Sequence, residues 1–227
     1  MWCVADLDKE YIRRMENLLD LYERPVRASE PVVCLDEKPV QLLEDVRRVR
    51  RGLRCNRIRR RDYEYRRRGV ANVFCALEPK AGRHFNRVTP NRGAREFAKM
   101  MGAIARRYPH ARTIHIVMDN VNTHCEESMV RFYGRREGMR IWRRFRLHPT
   151  PKHGSWLNQA EIEVCLVSRQ VLGSGSRRIG KQAMLRDEIR AFNTEANHAG
   201  LVIHWRFTTK DARRTFGYKC KKTRSKH

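Results

Sequence analysis

The sequence predicts an α/β fold in which helices flank a mixed β-sheet, and three observations lead to it. Two short apolar runs, at 31–35 and 114–118, have the length and composition of buried strands, and an aspartate directly follows each. Between them, a strand pattern interrupted by a Pro/Gly turn predicts a β-hairpin over 63–88. The longer segments carry apolar residues three or four positions apart, which predicts amphipathic helices around the sheet.

The chain begins with a predicted helix, a connector and a first strand. Apolar positions at helical spacing predict the helix over 7–23, and Pro25 and Pro31 bracket the connector that follows it. The first strand is predicted over 31–42. The segment 47–61 is dense in arginine without periodic order, which predicts an exposed basic loop.

The middle of the chain alternates strands with a helix. The predicted hairpin pairs 63–77 with 83–88, and a helix over 92–107 follows it. A strand over 113–118 then leads to Asp119.

A helix and another strand are predicted after Asp119. Thr123 and Glu126 stand in capping-box spacing, so a helix should start there, run to about Arg136 and stop at Gly138. Alternating apolar residues predict a strand over 139–147.

Two further helices complete the pattern. A proline-rich turn at 149–154 leads into a helix that carries Glu161, and a helix over 181–197 follows a Gly/Ser break at 173–176. After the first helix, the order is therefore strand, hairpin, helix, strand, helix, strand, helix, helix. A mixed sheet that contains a hairpin and is flanked by helices is the architecture of ribonuclease-H-like domains.

The charge of the chain indicates a polyanionic partner. The sequence has 50 Lys and Arg against 25 Asp and Glu, a formal net charge of +25. This excess is larger than solubility requires, and the arginine fork suits phosphate groups, so the predicted partner is nucleic acid. An anionic membrane is the competing partner. The sequence excludes it, because it contains neither a run of about eighteen apolar residues nor a basic helix with a clean apolar face.

Three acidic residues, Asp36, Asp119 and Glu161, are the candidate catalytic residues. Asp36 ends the apolar run at 31–35, Asp119 ends the apolar run at 114–118, and the glutamate stands on a helix that can cross the sheet edge. Three carboxylates are enough to hold two divalent ions, which neutralise the attacking and leaving oxygens of a phosphodiester. Turn formation and helix capping are the alternative roles for such acids. The pattern favours a site for two Mg²⁺ or Mn²⁺ ions.

Three motifs, in the right order and over nearly the whole chain, resemble those of DDE transposases from bacterial insertion sequences, the branch related to mariner elements. The motifs are Cys34-Leu35-Asp36-Glu37-Lys38-Pro39, Val117-Met118-Asp119-Asn120-Val121-Asn122-Thr123-His124 and Thr150-Pro151-Lys152-His153-Gly154-Ser155-Trp156-Leu157-Asn158-Gln159-Ala160-Glu161. In the third family motif an N-x-x-E helix carries the acid. This favours Glu161 over Glu163, because only Glu161 lies three residues after Asn158, on the same helix face.

The resemblance implies a retroviral-integrase-like fold and Mg²⁺-dependent cutting of DNA at the ends of an element. The freed 3′-hydroxyl then attacks target DNA, and Asp36, Asp119 and Glu161 would be the metal ligands. It also implies a homodimer on DNA, since two ends must be brought together, in the cytoplasm of a bacterium and associated with its nucleoid.

Further residues next to these acids or in the basic loop are candidate DNA contacts. They are Asn120, Lys152, His153, Arg57, Arg59 and Arg60. For Asn120 the alternative is turn and helix-start chemistry, and for Lys152 and His153 it is a solvated turn. The basic loop at 47–61 differs from the proline-containing connector of the family, so a functional loop and a drifted segment are both open.

The predicted organisation is a helix and connector at 1–30, a catalytic domain at 31–205 and a basic tail at 206–227. Full-length relatives carry helix-turn-helix segments ahead of the catalytic domain, and this chain has room for one helix there, so it resembles the catalytic portion alone. Two alternatives to an active transposase are an inactive, truncated DNA-binding remnant and a stand-alone nuclease of the same fold.

Overall fold

Helices pack on both faces of one mixed β-sheet, which confirms the predicted ribonuclease-H-like fold class. The computed structural model describes residues 7–46, 63–119, 125–173 and 178–218. Its strands are β1 (Val32–Asp45), β2 (Tyr65–Glu78), β3 (Arg83–His84), β4 (Arg87–Thr89), β5 (Ile114–Met118) and β6 (Phe145–Pro149). Its helices are α1 (Lys9–Glu23), α2 (Ala94–Arg107), α3 (Glu126–Tyr133), α4 (Arg135–Trp142), α5 (Ala160–Val167), α6 (Gln182–Ala199) and α7 (Thr209–Phe216).

The sheet combines an antiparallel half with a parallel half. Its strand order is β3-β2-β1-β5-β6, and β4 also pairs with β2. β1 runs antiparallel to β2, whereas β1, β5 and β6 are mutually parallel. β1 therefore lies between the antiparallel strand β2 on one side and the parallel strands β5 and β6 on the other. The carboxyl ends of β5 and β6 lie at the same end of the sheet.

Side chains alternate across β1, which divides the neighbouring helices between two faces of the sheet. Val33 and Leu35 pack in a core with residues of α2, α3 and α4, among them Met129. Cys34 points the other way and packs with residues of α1 and the start of α5. Asp36 lies two residues after Cys34 and shares its direction. These two sides are called the α2 face and the α5 face below.

The helix predicted to run through Arg136 and stop at Gly138 is wrong in its boundaries. α3 ends at Tyr133, and Gly134, with a φ of 80°, separates it from α4, which runs from Arg135 to Trp142. Gly138 does not end a helix. A Cβ atom there would lie 2.7 Å from the backbone of Met129, so glycine allows α3 and α4 to pack closely.

Two predicted strands also differ from the structure. The strand predicted over 139–147 is helical up to Trp142, and β6 covers only the later part. The second strand of the hairpin is split into β3 and β4 around Phe85 and Asn86. There, the side chain of Asn86 replaces a backbone partner by accepting a hydrogen bond from the Ala76 N–H at 3.0 Å.

The segment after residue 205 contains α7, a helix that the sequence did not predict. α7 packs against α1, where Arg213 pairs with Glu16 at 2.8 Å and Thr209 donates a hydrogen bond to Asp20 at 2.7 Å. Residues 219–227 and the basic loop lie outside the described residues. Within the described part of the chain, every helix is too short or too polar to cross a membrane.

Candidate active site

Asp36 and Asp119 occupy matching positions in neighbouring parallel strands. β1 and β5 pair in a register that is given by Val32↔His115, Val33↔Ile116 and Cys34↔Val117. Continued by two residues, this register brings Asp36 level with Asp119, just past the end of β5. Adjacent strands lie about 4.8 Å apart, so the two backbones are close neighbours at this edge.

Glu161 reaches this edge from α5, and the buried side chain of Asn158 ties α5 to β1. Nδ2 of Asn158 donates to the carbonyl oxygen of Leu35 at 3.0 Å, and Oδ1 accepts from the backbone N–H of Ala160 at 3.1 Å. Leu35 immediately precedes Asp36, and Ala160 immediately precedes Glu161. Asn158 therefore sets the spacing between the backbones of the two acids.

Helix α1 holds the turn that leads into α5. The hydroxyl of Tyr22 donates to the carbonyl oxygen of Leu157 at 2.8 Å, and the indole of Trp156 donates to the hydroxyl of Tyr11 at 3.3 Å. Gly154 in this turn has no room for a side chain, since a Cβ atom would lie 2.5 Å from the ring of Pro151. The aromatic contacts make α1 part of the support of the site.

The charges of Glu161 and Asp119 lie close enough to Asp36 to act on its carboxylate. Burial raises the pKa of Asp36 to about 7, although a hydrogen bond from the Glu37 N–H, 2.7 Å long, opposes the rise. The negative charges of Glu161 and Asp119 raise this pKa further. The structure thus places Asp119 and Glu161 within electrostatic range of Asp36, and the ionised form of Asp36 is disfavoured.

Thr150 positions Asp119, a role that the sequence analysis did not assign. Its hydroxyl donates to Oδ1 of Asp119 at 2.7 Å, and its backbone N–H donates to the carbonyl oxygen of Met118 at 3.1 Å. Thr150 follows Pro149, which is paired with Met118 in the β5–β6 register. The sequence contained a signal, because Thr150 opens the third motif, but its partner depends on the sheet order.

A buried network around Glu163 was also missed. Glu163 is fully buried, with Oε2 at 2.9 Å from Nδ1 of His84 and Oε1 accepting from Nδ2 of Asn86 at 2.5 Å. Burial opposes the charged form of His84, but the hydrogen bond and charge of Glu163 outweigh it and raise the pKa of His84. An acid within the apolar segment 160–167 was the available signal, because such an acid must meet a partner inside the protein.

The Glu163 network also orients the helix that carries Glu161. Positions two apart on an α-helix point about 200° away from each other. Glu163 contacts His84 on β3, and it also contacts Asn86, whose Nδ2 donates to Oδ1 of Asn193 on α6 at 2.9 Å. These contacts fix the side of α5 that carries Glu163. Glu161 therefore points to the opposite side of the helix. The structure thus separates the two glutamates, one as a buried anchor and one at the edge with the aspartates.

The donor set fits a hard divalent cation in its chemistry. Carboxylate oxygens are the ligands that Mg²⁺ and Mn²⁺ prefer. A cation would stabilise the charged form of Asp36, which burial disfavours most and the charges of Glu161 and Asp119 disfavour further. Across residues 7–46, 63–119, 125–173 and 178–218, however, no three His, Cys, Asp or Glu side chains lie close enough together to hold a metal ion. The predicted two-ion site stays a prediction.

The candidate DNA contacts divide into described and undescribed residues. Lys152 and His153 are exposed in the turn between β6 and α5, where His153 adopts a left-handed φ of 61°. Their contact with DNA stays a prediction. The other predicted contacts lie outside the described residues: Asn120, Arg57, Arg59 and Arg60.

Comparison with known proteins gives a family match and several similar structures. A family model described as DDE superfamily endonuclease matches residues 31–186. The structure of the Mos1 mariner paired end complex with Mn has 12% sequence identity, a TM-score of 0.46, and coverage of 87% of this chain and 63% of that chain. For the Mos1 transposase paired-end complex with left transposon end, the values are 14%, 0.43, 90% and 66%.

A pre-cleavage Mos1 transpososome is similar to the same degree, with 12% identity, a TM-score of 0.43, and coverage of 91% of this chain and 67% of that chain. The chain thus spans 63% to 67% of the length of these Mos1 chains. No curated protein matches the sequence.

Proposed function

Because the chain belongs to the DDE superfamily of endonucleases, we propose that it is the catalytic part of a DNA transposase. Asp36, Asp119 and Glu161 are its catalytic carboxylates. They act in strand cleavage by hydrolysis and in strand transfer by transesterification.

One observation carries this proposal: the charges of Glu161 and Asp119 act on a partly buried Asp36 and help to raise its pKa to about 7, after the larger effect of burial. Bringing three carboxylates together at one place on the sheet lowers the stability of the fold through desolvation and like-charge repulsion. Such destabilising clusters of acids are typical of functional sites. Such a concentration of negative charge on a chain of net charge +25 supports a role in binding cations next to DNA.

Divalent ions, two Mg²⁺ or Mn²⁺, would be held by Asp36, Asp119 and Glu161. When bound, they supply charge neutralisation to the attacking and leaving oxygens of the phosphodiester. The chain's own residues hold the acids in place for this role. Asn158 sets the distance between β1 and α5, and Thr150 fixes the rotation of the Asp119 carboxylate.

The substrate in this proposal is DNA, both the ends of an insertion sequence and the target DNA. The net charge supports a polyanionic partner, and Lys152 and His153, exposed beside the start of α5, are available for phosphate contacts. The motif strings support an origin in a bacterial insertion sequence. The functional form is then a homodimer on DNA of the cytoplasmic nucleoid.

The test is metal-dependent DNA cleavage by the full chain. A supercoiled plasmid and oligonucleotides that carry the ends of the parent element are incubated with Mn²⁺, Mg²⁺ or EDTA. The wild type should nick DNA only with a divalent ion, and Asp119→Asn should abolish nicking while DNA binding is retained. Asp187→Asn is the matched control, because it makes the same chemical change at an exposed position of α6.

Each outcome separates the proposal from its alternatives. Undiminished cleavage by Asp119→Asn would refute the role of the carboxylates. Steeply salt-dependent binding without any metal-dependent nicking would identify an inactive DNA-binding remnant. Cleavage of RNA–DNA hybrids without joining of DNA ends would identify a stand-alone nuclease of the same fold.

A further inference from the structure

One side of α4 is covered with arginine. At 3.6 residues per turn, Arg135, Arg136, Arg140 and Arg143 fall within an arc of about 140°, and all four are exposed. Ile141 lies on the opposite side of the helix and packs into the core of the α2 face. These four residues are called the arginine face.

The arginine face borders an open hollow on the surface. The hollow has a volume of about 550 Å³ and is lined by Met139 together with the four arginines. From Arg136 to Arg143 the helix rises by about 10 Å. Successive phosphates of one DNA strand advance by about 3.4 Å along the duplex axis, so this length covers about three phosphates.

The positive charge of this face is largely uncompensated. Arg140 pairs with Glu137 at 2.7 Å, whereas Arg135, Arg136 and Arg143 have no ion-pair partner among the described residues. A second cationic hollow among the described residues, between α2 and α6, differs in this respect. Two of its cations are neutralised locally, by the pairs Lys99–Glu96 and Arg190–Asp187.

The arginine face lies on the other side of the sheet from the helix that carries Glu161. α4 packs on the α2 face through Ile141, whereas Asp36 shares the direction of Cys34 on the α5 face. A DNA segment at the three acids would approach the edge and the α5 face. The arginine face is therefore a separate surface.

We propose that the arginine face binds the phosphate backbone of a second duplex DNA segment, distinct from the segment at the carboxylates. That the partner is a polyanion follows from the positive charge of the arginine face. That this polyanion is DNA rests on the proposed function. Arginine forks bind phosphate oxygens in pairs, and each neutralised phosphate releases counterions. A membrane does not fit, because Met139 is the apolar residue of this arc and membrane-binding helices need an apolar side.

The first experiment measures the salt dependence of duplex binding by fluorescence anisotropy, in EDTA. The test variant is Arg136→Gln/Arg140→Gln/Arg143→Gln. The matched control is Arg13→Gln/Arg190→Gln/Arg214→Gln, which removes the same charge at exposed, locally paired positions on α1, α6 and α7. Glutamine favours helix in both variants, and circular dichroism verifies that they are folded.

The expected results follow from counterion release. Each lost phosphate contact makes the slope of log Kobs against log[salt] shallower by about 0.9, so the test variant should lose about 2.7 and bind about 100-fold more weakly at about 0.15 M salt. The control should stay near the wild-type slope. Equal losses in both variants would mean that net charge alone matters, and a wild-type slope in the test variant would exclude contact. Either result overturns the inference. In a competition assay, polyglutamate that displaces the labelled duplex as well as unlabelled duplex DNA does would also overturn it, because the face would then bind any polyanion.

A bridging assay tests for the second segment directly. Wild type and control, bound to a duplex on beads, should capture a labelled duplex, and the test variant should not. If the test variant still captures the labelled duplex, the inference is overturned. In that case the two carboxylate sites of a dimer, and not the arginine face, would hold the two duplexes. Plasmid cleavage by the wild type is scored separately. Active cleavage with failed bridging leaves the proposed function standing, whereas bridging without cleavage leaves only the arginine face.

Discussion

Replacing Asn158 tests how the candidate site is held together. Its side chain is 1% exposed and makes two hydrogen bonds, to the Leu35 carbonyl oxygen and from the Ala160 N–H. Asn158→Ala removes both and leaves the two backbone groups buried without partners. The first of these groups lies beside Asp36 and the second beside Glu161, so stability and site geometry should change together.

The expected cost follows from the two orphaned groups. A buried polar group without a partner costs about 1–3 kcal/mol, so Asn158→Ala should lower the free energy of unfolding by about 2–6 kcal/mol. Domains are typically stable by only about 5–15 kcal/mol, so a loss of this size is readily measured. Metal-dependent cleavage should fall at temperatures where the variant is still folded, because α5 is no longer tied to β1.

Urea unfolding followed by circular dichroism measures the change, with Asn91→Ala as a matched control. Oδ1 of Asn91 also accepts a hydrogen bond from a backbone N–H two residues later at the start of a helix, that of Gly93 at 2.9 Å. It does so in an exposed setting, so this variant should lose about 1 kcal/mol or less. If the two variants differ by less than about 0.5 kcal/mol, Asn158 does not connect β1 and α5 in the way described.

Two predictions concern pH. Burial lowers the pKa of His148 from 6.5 to about 4, next to His115 at 2.8 Å, so the unfolded chain takes up a proton first as the pH falls. The contribution of His148 to stability should therefore fall by about 3 kcal/mol between pH 6.5 and 4. Because protonation of Asp36 changes stability in the opposite direction over the same window, this contribution is read from the difference between the wild type and His148→Asn in urea unfolding, with the exposed His110→Asn as the control. A difference that stays constant between pH 6.5 and 4 would contradict the prediction. For Asp36 the pKa is raised from 3.8 to about 7, so ionisation destabilises the folded state as the pH rises through this window. In EDTA, Asp36→Asn should raise the free energy of unfolding by about 2–4 kcal/mol at pH 8 and leave it unchanged at pH 3, whereas Asp187→Asn should leave it unchanged at both. A loss of stability in Asp36→Asn at pH 8 would refute the cost of charging Asp36, to which burial contributes most and the neighbouring acids less.

The fold was predictable where its determinants are local. The apolar run at the start of β1 and the apolar strand β5 are each followed directly by an aspartate, and α2 carries its apolar residues at helical spacing, so these elements could be predicted from short windows of sequence. The continuation of β1 to Asp45 depends on its long pairing with β2. The break between α3 and α4 could not. Gly138 looks like a helix terminator in sequence, and only its contact with the backbone of Met129 reveals a packing role.

The candidate site divides in the same way. The sequence by itself determined the three candidate acids and the spacing from Asn158 to Glu161, because a motif is a property of neighbouring residues. The shared helix face predicted for Asn158 and Glu161 is wrong, since Asn158 precedes α5 in extended backbone. The tertiary structure decided that Asp36 stands level with Asp119, that Glu163 is a buried anchor, and that the arginine face lies away from α5. The physical reason is that strand register and burial are settled by contacts between residues far apart in the chain. Such contacts leave no period in the sequence, and they form only when the sheet and its helices pack together.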